Sequence, residues 1–464
     1  MFGGRALRVL LTCISLHSRS GAELWVLDAA RALRRRGHEP AAYSRVVGPL
    51  AEEFRAEGLL VVDDLDALPW VPDVIHGQHV NETMTAVLRF PASPAVAFCH
   101  DARAWHDAMP DIPGIARYVA VDVPTRSRLI DERGIDPTRV RVVQNFVDLD
   151  RFQPRSALPE RPLRALLLSN QVKADVHVPA VRVACERQGI ELDIAGLGVG
   201  APEGAPERRL PLYDVVFAKA RAAMEAMAVG AAVILCDAEG VGPLVTMANF
   251  CDLRPLNFGF RTLQEPLSAE AVERRLRCYD RAEAEHVSMR ARAELGLEDA
   301  IDRLVDIYHE AREITRARPR DAAEDSRAAS RYLADLSAPL RNQAFTTWER
   351  DKARDDARRL AAVEAQLRTQ LADAQADLDS ERELRAQAAS RASEMAEQVR
   401  SAALLALADA RAQRDQAAAR AARDRAALDG LERSATWRAR ARVLRLPGVR
   451  RVWGILDALR APKL

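Results

Sequence analysis

The turn at residues 18–23 and a histidine at residue 100 are of types that could contact a hydroxylated or charged ligand. The turn, Ser-Arg-Ser-Gly-Ala-Glu, joins an apolar run to a helix-like stretch. Gly21 permits close approach of the backbone, and the free amides of Gly21 and Ala22 at a helix start suit a phosphate or a hydroxyl group. His100 follows an apolar run and would lie at a strand end, where its imidazole could hydrogen-bond a sugar or an acceptor. A structural histidine is an equally good interpretation of that position.

Three cations could neutralise the charge that develops on a leaving diphosphate. They are Lys173, Lys219 and Arg221, and the last two are separated by a single residue. Positive groups placed where negative charge develops stabilise a transition state. A solvated surface position is at least as good an interpretation for each of the three.

The residue spacing favours neither metal nor disulfide chemistry. His76 and His79 have no third ligand at a useful spacing. The six cysteines are scattered and form no CxxC pair, which predicts buried, reduced thiols in a cytosolic protein. We therefore expect no metal and no cofactor.

Alternating strand-like and helix-like stretches must position these residues. Up to about residue 312, short apolar runs alternate with amphipathic stretches, which predicts parallel strands with crossover helices. The predicted strands are 6–14, 59–62, 74–76, 95–99, 117–121, 139–144, 163–169, 191–195 and 232–236, and the clearest helices are 21–36, 178–188 and 221–229. Because the pattern restarts after Pro162, we expect an α/β protein with two Rossmann-like lobes, at 1–160 and 161–312. In such sheets, ligands bind beyond the carboxyl ends of the strands.

The chain beyond the lobes has a different composition. Residues 317–432 contain hardly any glycine, and their leucines recur at spacings of seven and four. This pattern predicts a long coiled-coil helix that self-associates. A solvated single helix with ion pairs between residues four apart is the alternative.

The formal charge of +1 conceals a basic tail. Residues 434–464 carry eight basic residues and one acidic residue, which leaves about −6 on the rest of the chain. That body does not resemble a uniformly basic nucleic-acid binder. The tail, at 433–464, is predicted to be amphipathic, and its mixture of tryptophan and arginine suits an anionic membrane surface. Docking of the tail on the chain's own lobes is the alternative. No run approaches the ~18 apolar residues that a membrane span needs.

Several strings carry a resemblance to a known family. The turn at 18–23 and the following LWVLDAARALRRRGHEP resemble the Gly-Gly-Ala-Glu turn and first helix of family 4-type glycosyltransferases, which have the GT-B fold. PDVIHGQH, PAVAFCHD and the stretch from 118 to 152 are similar to later parts of the first lobe in that family. MRARAELGLEDAIDRLVDIYHEA resembles the closing helices. Together these strings span roughly residues 6–312, and they imply a two-lobed GT-B fold.

The resemblance also implies roles for single residues. His100 would lie in the cleft, contact the sugar and act as the catalytic residue. Glu225, in RAAMEAMAVGAAVIL, matches the second of two acids at the family's donor site and would bind the ribose hydroxyls. Lys173 stands near the lysine of the pair that faces the donor diphosphate, and Lys219 would add a further cation. Gly21 and Ala22 would allow the phosphate or the acceptor to approach.

The second lobe departs from the family pattern at three places. Phe217 replaces the first donor-site acid, and Ser169-Asn170-Gln171 stands near the position of the diphosphate arginine. The family's Gly-Phe-Gly turn is replaced by VFAKAR. These departures put the donor site in doubt.

Two functional hypotheses follow. The first is a retaining, metal-independent glycosyltransferase that moves a sugar from a nucleotide-sugar donor to a bacterial surface glycan or glycolipid. The second is a catalytically degenerate GT-B module that acts as an assembly scaffold. The expected partners are the donor, the acceptor, an anionic membrane through the tail and a second copy through the coiled coil, without nucleic acid. The expected location is cytoplasmic, at the inner face of the cell membrane.

Overall fold

The computed structural model describes residues 5–318, 320–384 and 389–433. The chain forms two compact units, with the division between Ala329 and Ser330. The first unit contains two β-sheets, and the second consists of long helices. The basic tail predicted at 433–464 lies outside the described residues except for Arg433.

Two open sheets form the centres of two lobes within the first unit. The strands of the described part are β1 (Arg8–Thr12), β2 (Glu39–Tyr43), β3 (Leu60–Val62), β4 (Val74–Gln78), β5 (Ala95–Cys99), β6 (Ile115–Ala120), β7 (Val140–Val142), β8 (Arg164–Leu168), β9 (Glu191–Ala195), β10 (Val215–Ala218), β11 (Ala232–Asp237) and β12 (Gly240–Leu244). The first sheet has the order β3-β2-β1-β4-β5-β6-β7 with all neighbours parallel. The second has the order β12-β11-β10-β8-β9, in which only β12 is antiparallel. The predicted α/β fold with two Rossmann-like lobes is confirmed.

Helices cover the two sheets and continue beyond them. The α-helices of the described part are α1 (Gly21–Arg35), α2 (Pro49–Ala56), α3 (Val80–Arg89), α4 (Val123–Ser127), α5 (Val178–Arg187), α6 (Pro206–Arg209), α7 (Ala220–Val229), α8 (Met247–Leu253), α9 (Ala269–Leu276), α10 (Arg281–Glu294), α11 (Leu297–Ala317), α12 (Ala322–Leu384) and α13 (Ala389–Arg433). None of these helices combines the length and the apolar character that a membrane crossing requires.

Because the central strands are buried on both faces of the sheet, their sequences are runs of apolar residues. In β1, Val9, Leu10 and Leu11 have no exposed surface, as expected for a central parallel strand covered by helices on both sides. Facing this sheet, α1 buries Trp25 and Leu33 on its apolar stripe. The first lobe therefore presents the ends of β1, β4 and β5 as one rigid edge.

The last helix of the two lobes, α11, packs on the first lobe. The sequence analysis assigned most of this helix to the second lobe, at 161–312. Ile301, Leu304 and Tyr308 of α11 share a core with Val9 and Leu11. The chain therefore leaves the first lobe and returns to it. At the crossing, Val147 pairs with Gly296 as an isolated β-bridge. An amphipathic helix shows in its sequence which side is apolar but not which sheet it covers.

Long helices occupy most of the range 317–432, as the sequence predicts. Two helices, α12 and α13, occupy that range, and the first begins in the sheet-containing unit. Glu364 of α12 lies 3.7 Å from Arg411 and 3.6 Å from Arg414 of α13. Because Glu364 is about as far from the end of α12 as these arginines are from the start of α13, the helices run antiparallel there. Side chains of the predicted apolar seam are still exposed, by 36% at Leu367 and 47% at Val399. Self-association remains a prediction.

The cysteines are all free thiols, as the sequence predicts. Four of them are buried, namely Cys13, Cys99, Cys185 and Cys236. Cys251 and Cys278 are exposed, which corrects the prediction of burial for these two.

Candidate active site between the two lobes

Histidines follow two adjacent strands of the first sheet. His79 comes directly after β4 and His100 directly after β5, so both lie at the carboxyl edge where parallel sheets bind ligands. Nδ1 of His79 accepts a hydrogen bond from the backbone N–H of Ile14 at 3.0 Å. This bond fixes the orientation of the ring. The backbone of His79 lies in the left-handed region, with a φ of 63°. The ring centroid of His106 lies 5.0 Å away.

His100 is held as a neutral imidazole with one free nitrogen. Its ring lies 5.3 Å from the ring of Trp25 and 6.1 Å from that of Phe98. Burial, together with the positive groups of His106 and Arg221, lowers the pKa of His100 to about 4. Its Nε2 is buried and has no hydrogen-bond partner in the described protein. Buried polar atoms are normally paired, so this nitrogen is available to a ligand hydroxyl.

A buried ion cluster joins the two lobes. Arg221 of α7 contacts Asp28 of α1 through Nη2, and its Nε lies 2.7 Å from Oε1 of Glu225. Nη1 of Arg151 lies 3.2 Å from Asp28 Oδ1, and its Nη2 lies 3.9 Å from Glu225 Oε1. Asp28 has no exposed surface. Buried charges of this kind are stable only when paired, so the cluster fixes α1 against α7.

Within this cluster, the pKa values of Glu225 and Arg221 depend on the charges of the neighbouring members. Burial raises the pKa of Glu225, and the positive charges of Arg221 and Arg151 oppose that rise. Burial favours the neutral form of Arg221, but the carboxylates of Asp28 and Glu225 outweigh it and raise its pKa. The hydrogen bond and the ion-pair contacts of Glu225 described above all reach Oε1.

Arg221 is neither a free donor-site cation nor a solvated surface residue. Only 9% of it is exposed, and both of its anionic partners are protein carboxylates. Its Nη1 is buried and unbonded in the described part of the chain. The sequence offered no signal for this role, because Asp28 is 193 residues away in the other lobe.

Lys219 lies in a second polar cluster at the edge of the second sheet. Its ammonium is 2.7 Å from Asp237 Oδ2 and 3.4 Å from Glu239 Oε2. Glu239 also pairs with Arg103 of the first lobe at 2.6 Å, and the Arg103 guanidinium stacks 4.0 Å from the centroid of Phe260. Lys219 is therefore linked to the first lobe through Glu239. Its ammonium group, however, is already paired with two carboxylates of the protein.

Lys173 is not brought to either cluster by a direct contact. It is exposed, and its side chain has no ion-pair partner within the described ranges. Its backbone N–H donates to Nδ1 of His177 at 3.0 Å, which fixes the loop but not the ammonium. Phe217 is fully buried in β10, so a hydrophobic side chain fills the position of the family's first acid.

Gly21 and Ala22 form the start of α1, as the sequence predicts. Gly21 is exposed, and a β-carbon added there would meet no atom within 4 Å. Ser20 precedes the helix in an extended conformation, and its side chain does not cap the helix amides. The Ser20 hydroxyl contacts Glu23 instead. Burial raises the pKa of the Glu23 carboxyl. The amides of this turn are open to a ligand, but no crowding requires glycine at residue 21.

The first residue of α7, Ala220, has a backbone conformation that favours glycine. Ala220 has a φ of 50°, and its N–H donates to the carbonyl of Phe258 at 2.8 Å. A left-handed conformation disfavours any residue with a β-carbon. Ala220→Gly is therefore expected to raise the free energy of unfolding by roughly 0.5 to 1 kcal/mol. Urea denaturation measures this change, and Ala222→Gly in the same helix, which is expected to destabilise by a similar amount, is the matched control. A loss of stability in Ala220→Gly would contradict the strain at this turn.

No group of histidine, cysteine or acidic side chains in the described residues is arranged to hold a metal ion. The structure brings Arg221 and Glu225 together through a hydrogen bond, and the charge of Arg221 contributes to the lowered pKa of His100. Those three residues, with Asp28 and Arg151, form the candidate site.

Comparison with known proteins agrees with the observed fold. Residues 19–151 match the model of Glycosyltransferase Family 4. The match runs from the turn before α1 to the chain just past β7, which is nearly the whole first lobe. With the two sheets described above, it identifies the fold as GT-B. No curated protein matches the chain by sequence.

Solved structures of similar fold share little sequence with this chain. A glycosyltransferase from Rickettsia africae is 14% identical and covers 66% of this chain and 99% of its own, with a TM-score of 0.48. HepE of Anabaena, in complex with UDP-glucose, is 13% identical and covers 66% of this chain and 100% of its own, with a TM-score of 0.46. WaaG, a glycosyltransferase of lipopolysaccharide biosynthesis, is 14% identical and covers 65% of this chain and 99% of its own, with a TM-score of 0.43.

Proposed function

We propose that this protein is a glycosyltransferase that moves a sugar from a nucleotide-sugar donor to a bacterial surface glycan or glycolipid. The observation that carries the proposal is a GT-B fold whose two lobes are joined by the buried cluster of Asp28, Arg221 and Glu225. His100 adds a buried Nε2 atom that has no hydrogen-bond partner in the described protein. A polar atom of this kind can orient a substrate.

The donor would bind on the second lobe. Oε2 of Glu225 would accept a hydrogen bond from a ribose hydroxyl. Lys219 and the exposed Lys173 would face the diphosphate, and the open amides of Gly21 and Ala22 would approach it from the first lobe. Binding would require Lys219 to exchange Asp237 or Glu239 for phosphate oxygens.

The chemistry would depend on charge stabilisation more than on proton transfer. His100, with a pKa of about 4, is neutral at pH 7 and would hydrogen-bond a hydroxyl of the transferred sugar. Hexosyl transfer with retention of anomeric configuration, without a metal, is the proposed reaction. The basic tail would hold the enzyme at the cytoplasmic face of the membrane, where its acceptor is found, and the helices would associate with those of a second copy.

A scaffold without transferase activity is the second candidate. Two observations favour it: Phe217 fills the position of the first donor-site acid, and Arg221 already engages Glu225. In that case the two lobes would retain the GT-B fold but would not bind a nucleotide-sugar donor.

Calorimetric titration of the full chain with UDP, GDP and ADP separates the two candidates. HepE of Anabaena was crystallised with UDP-glucose, so UDP is the first nucleotide to test. We expect saturable binding of one of the three with a dissociation constant in the micromolar range, about −8 kcal/mol. Circular dichroism on the same sample establishes that it is folded. Folded protein that binds none of the three nucleotides would reject the transferase and support the scaffold.

A further inference from the structure

The loop after β5 exposes a tryptophan at the cleft. Trp105 has 57% of its surface exposed, although an indole is among the side chains that gain most from burial. The same loop carries Arg103, which reaches across the cleft to Glu239 and Phe260 of the second lobe. The indole is therefore only two residues from a contact between the lobes.

The loop around the indole is rigidly braced. The carboxylate of Asp101 accepts hydrogen bonds from the backbone N–H groups of Arg103 at 2.6 Å and Ala104 at 2.9 Å. Nη1 of Arg128 donates to the carbonyls of Asp101 at 2.8 Å and Ala104 at 2.7 Å. Asp107 accepts from the N–H of Asp101 at 2.8 Å. Bonds at both ends of the loop hold in place the backbone that carries the exposed side chain, which favours a pre-organised contact.

Neutral imidazoles extend from the indole into the cleft. The ring of His106 lies 5.6 Å from that of Trp105 and 5.0 Å from that of His79. Burial lowers the pKa of His106, and it lowers that of His79 to about 3. The charge of His106 contributes to the low pKa of His100, whose buried Nε2 is unpaired in the described chain. A neutral imidazole has one donor and one acceptor, which suits hydroxyl groups better than anions.

We propose that Trp105 stacks against the pyranose ring of the acceptor sugar, with His106 directed at its hydroxyl groups. A pyranose has an apolar face of C–H groups and a rim of hydroxyls. An exposed indole beside neutral imidazoles complements both. This assignment rests on the proposed function, since it takes the acceptor to be a sugar. It makes Trp105 a specificity-determining residue of the first lobe.

Saturation-transfer-difference NMR with methyl hexopyranosides tests the assignment. The probes are the methyl glycosides of glucose, galactose, mannose and N-acetylglucosamine. The full chain is compared with Trp105→Ala, Trp105→Phe and Trp348→Ala. The last is the matched control, because Trp348 of α12 is also 57% exposed. Each sample is also titrated with UDP.

We expect the ring C–H protons of at least one methyl glycoside to receive saturation from the wild type and from Trp348→Ala. In Trp105→Ala the signal should fall about tenfold, and Trp105→Phe should keep part of it, because phenylalanine retains an aromatic face. UDP affinity should stay within about twofold in all variants. Loss of UDP affinity in Trp105→Ala would assign the indole to the donor and overturn the inference.

Two other results would also overturn the inference. One is an equal signal from the wild type and Trp105→Ala. The other is the absence of signal from every glycoside in wild-type protein that binds UDP. If the wild type binds no nucleotide, the proposed function fails separately, and the glycoside signals still decide whether Trp105 binds a sugar.

Discussion

Replacing Arg221 with alanine is expected to lower the free energy of unfolding by about 3 kcal/mol. The substitution leaves the carboxylates of Asp28 and Glu225 buried between the lobes, with Arg151 as the remaining counter-charge. An unpaired buried charge costs several times more than a surface ion pair contributes. Urea denaturation of the full chain at pH 7.5 measures the change.

The pH dependence gives a second readout of the same substitution. Without Arg221, the pKa of Glu225 should rise further above its value in the unfolded chain. A carboxyl whose pKa is higher in the folded state destabilises that state as pH rises from the unfolded towards the folded value. The Arg221→Ala variant should therefore lose less stability at pH 5 than at pH 8.

Controls separate the buried pair from a general effect of losing an arginine. Arg187→Ala removes an exposed arginine, which lies 3.5 Å from Glu270, and should cost less than about 0.5 kcal/mol. A double-mutant cycle with Asp28→Ala should give a coupling energy above about 1.5 kcal/mol. A coupling near zero would mean that the Asp28–Arg221 contact does not join the lobes in solution.

Substituting Glu225 with glutamine is expected to weaken the binding of UDP about thirtyfold, if UDP is the nucleotide that binds. Glutamine preserves the size of the side chain but removes the charge, and a hydrogen bond to a charged group is worth about 2 kcal/mol. Calorimetric titration with UDP measures the loss.

Asp28→Asn is the matched control for this substitution. It neutralises the other carboxylate that binds Arg221, on the first-lobe side of the same cluster. UDP affinity should then change by less than about twofold. Equal losses in the two variants would show that the cluster supports the site only indirectly, and an unchanged affinity in Glu225→Gln would remove Glu225 from the donor site.

The fold was predictable because its central strands are short, buried apolar runs. The run at 95–99 coincides with β5, and the run at 191–195 coincides with the edge strand β9. β10 was missed because its four apolar residues, Val215–Ala218, form too short a run to be told from the start of a helix. β12 was missed because its two glycines and one proline are unusual in strands.

The site was only partly predictable from the sequence. The positions of His100 and Glu225 could be taken from the ends of elements and from the family resemblance. The burial of Arg221 could not, because its charge alone fits an exposed surface equally well. In the sequence, Trp105 is only a single aromatic residue in a polar loop. Its proposed role depends on the hydrogen bonds that brace the loop and on the ring of His106. The contact of Arg221 with Asp28 joins residues distant in sequence, which the sequence by itself does not disclose.

The return of α11 to the first lobe makes the second lobe an insertion in the first. The chain leaves near Val147 and re-enters near Gly296. Val147 donates a backbone hydrogen bond to Leu295 and accepts one from Leu297, the two neighbours of Gly296. The residues between Val147 and Gly296 could be exchanged for another lobe without rerouting the first, because the two junctions coincide in space. The architecture thus allows the second lobe to be replaced as one unit, provided that each new lobe supplies a partner for Asp28.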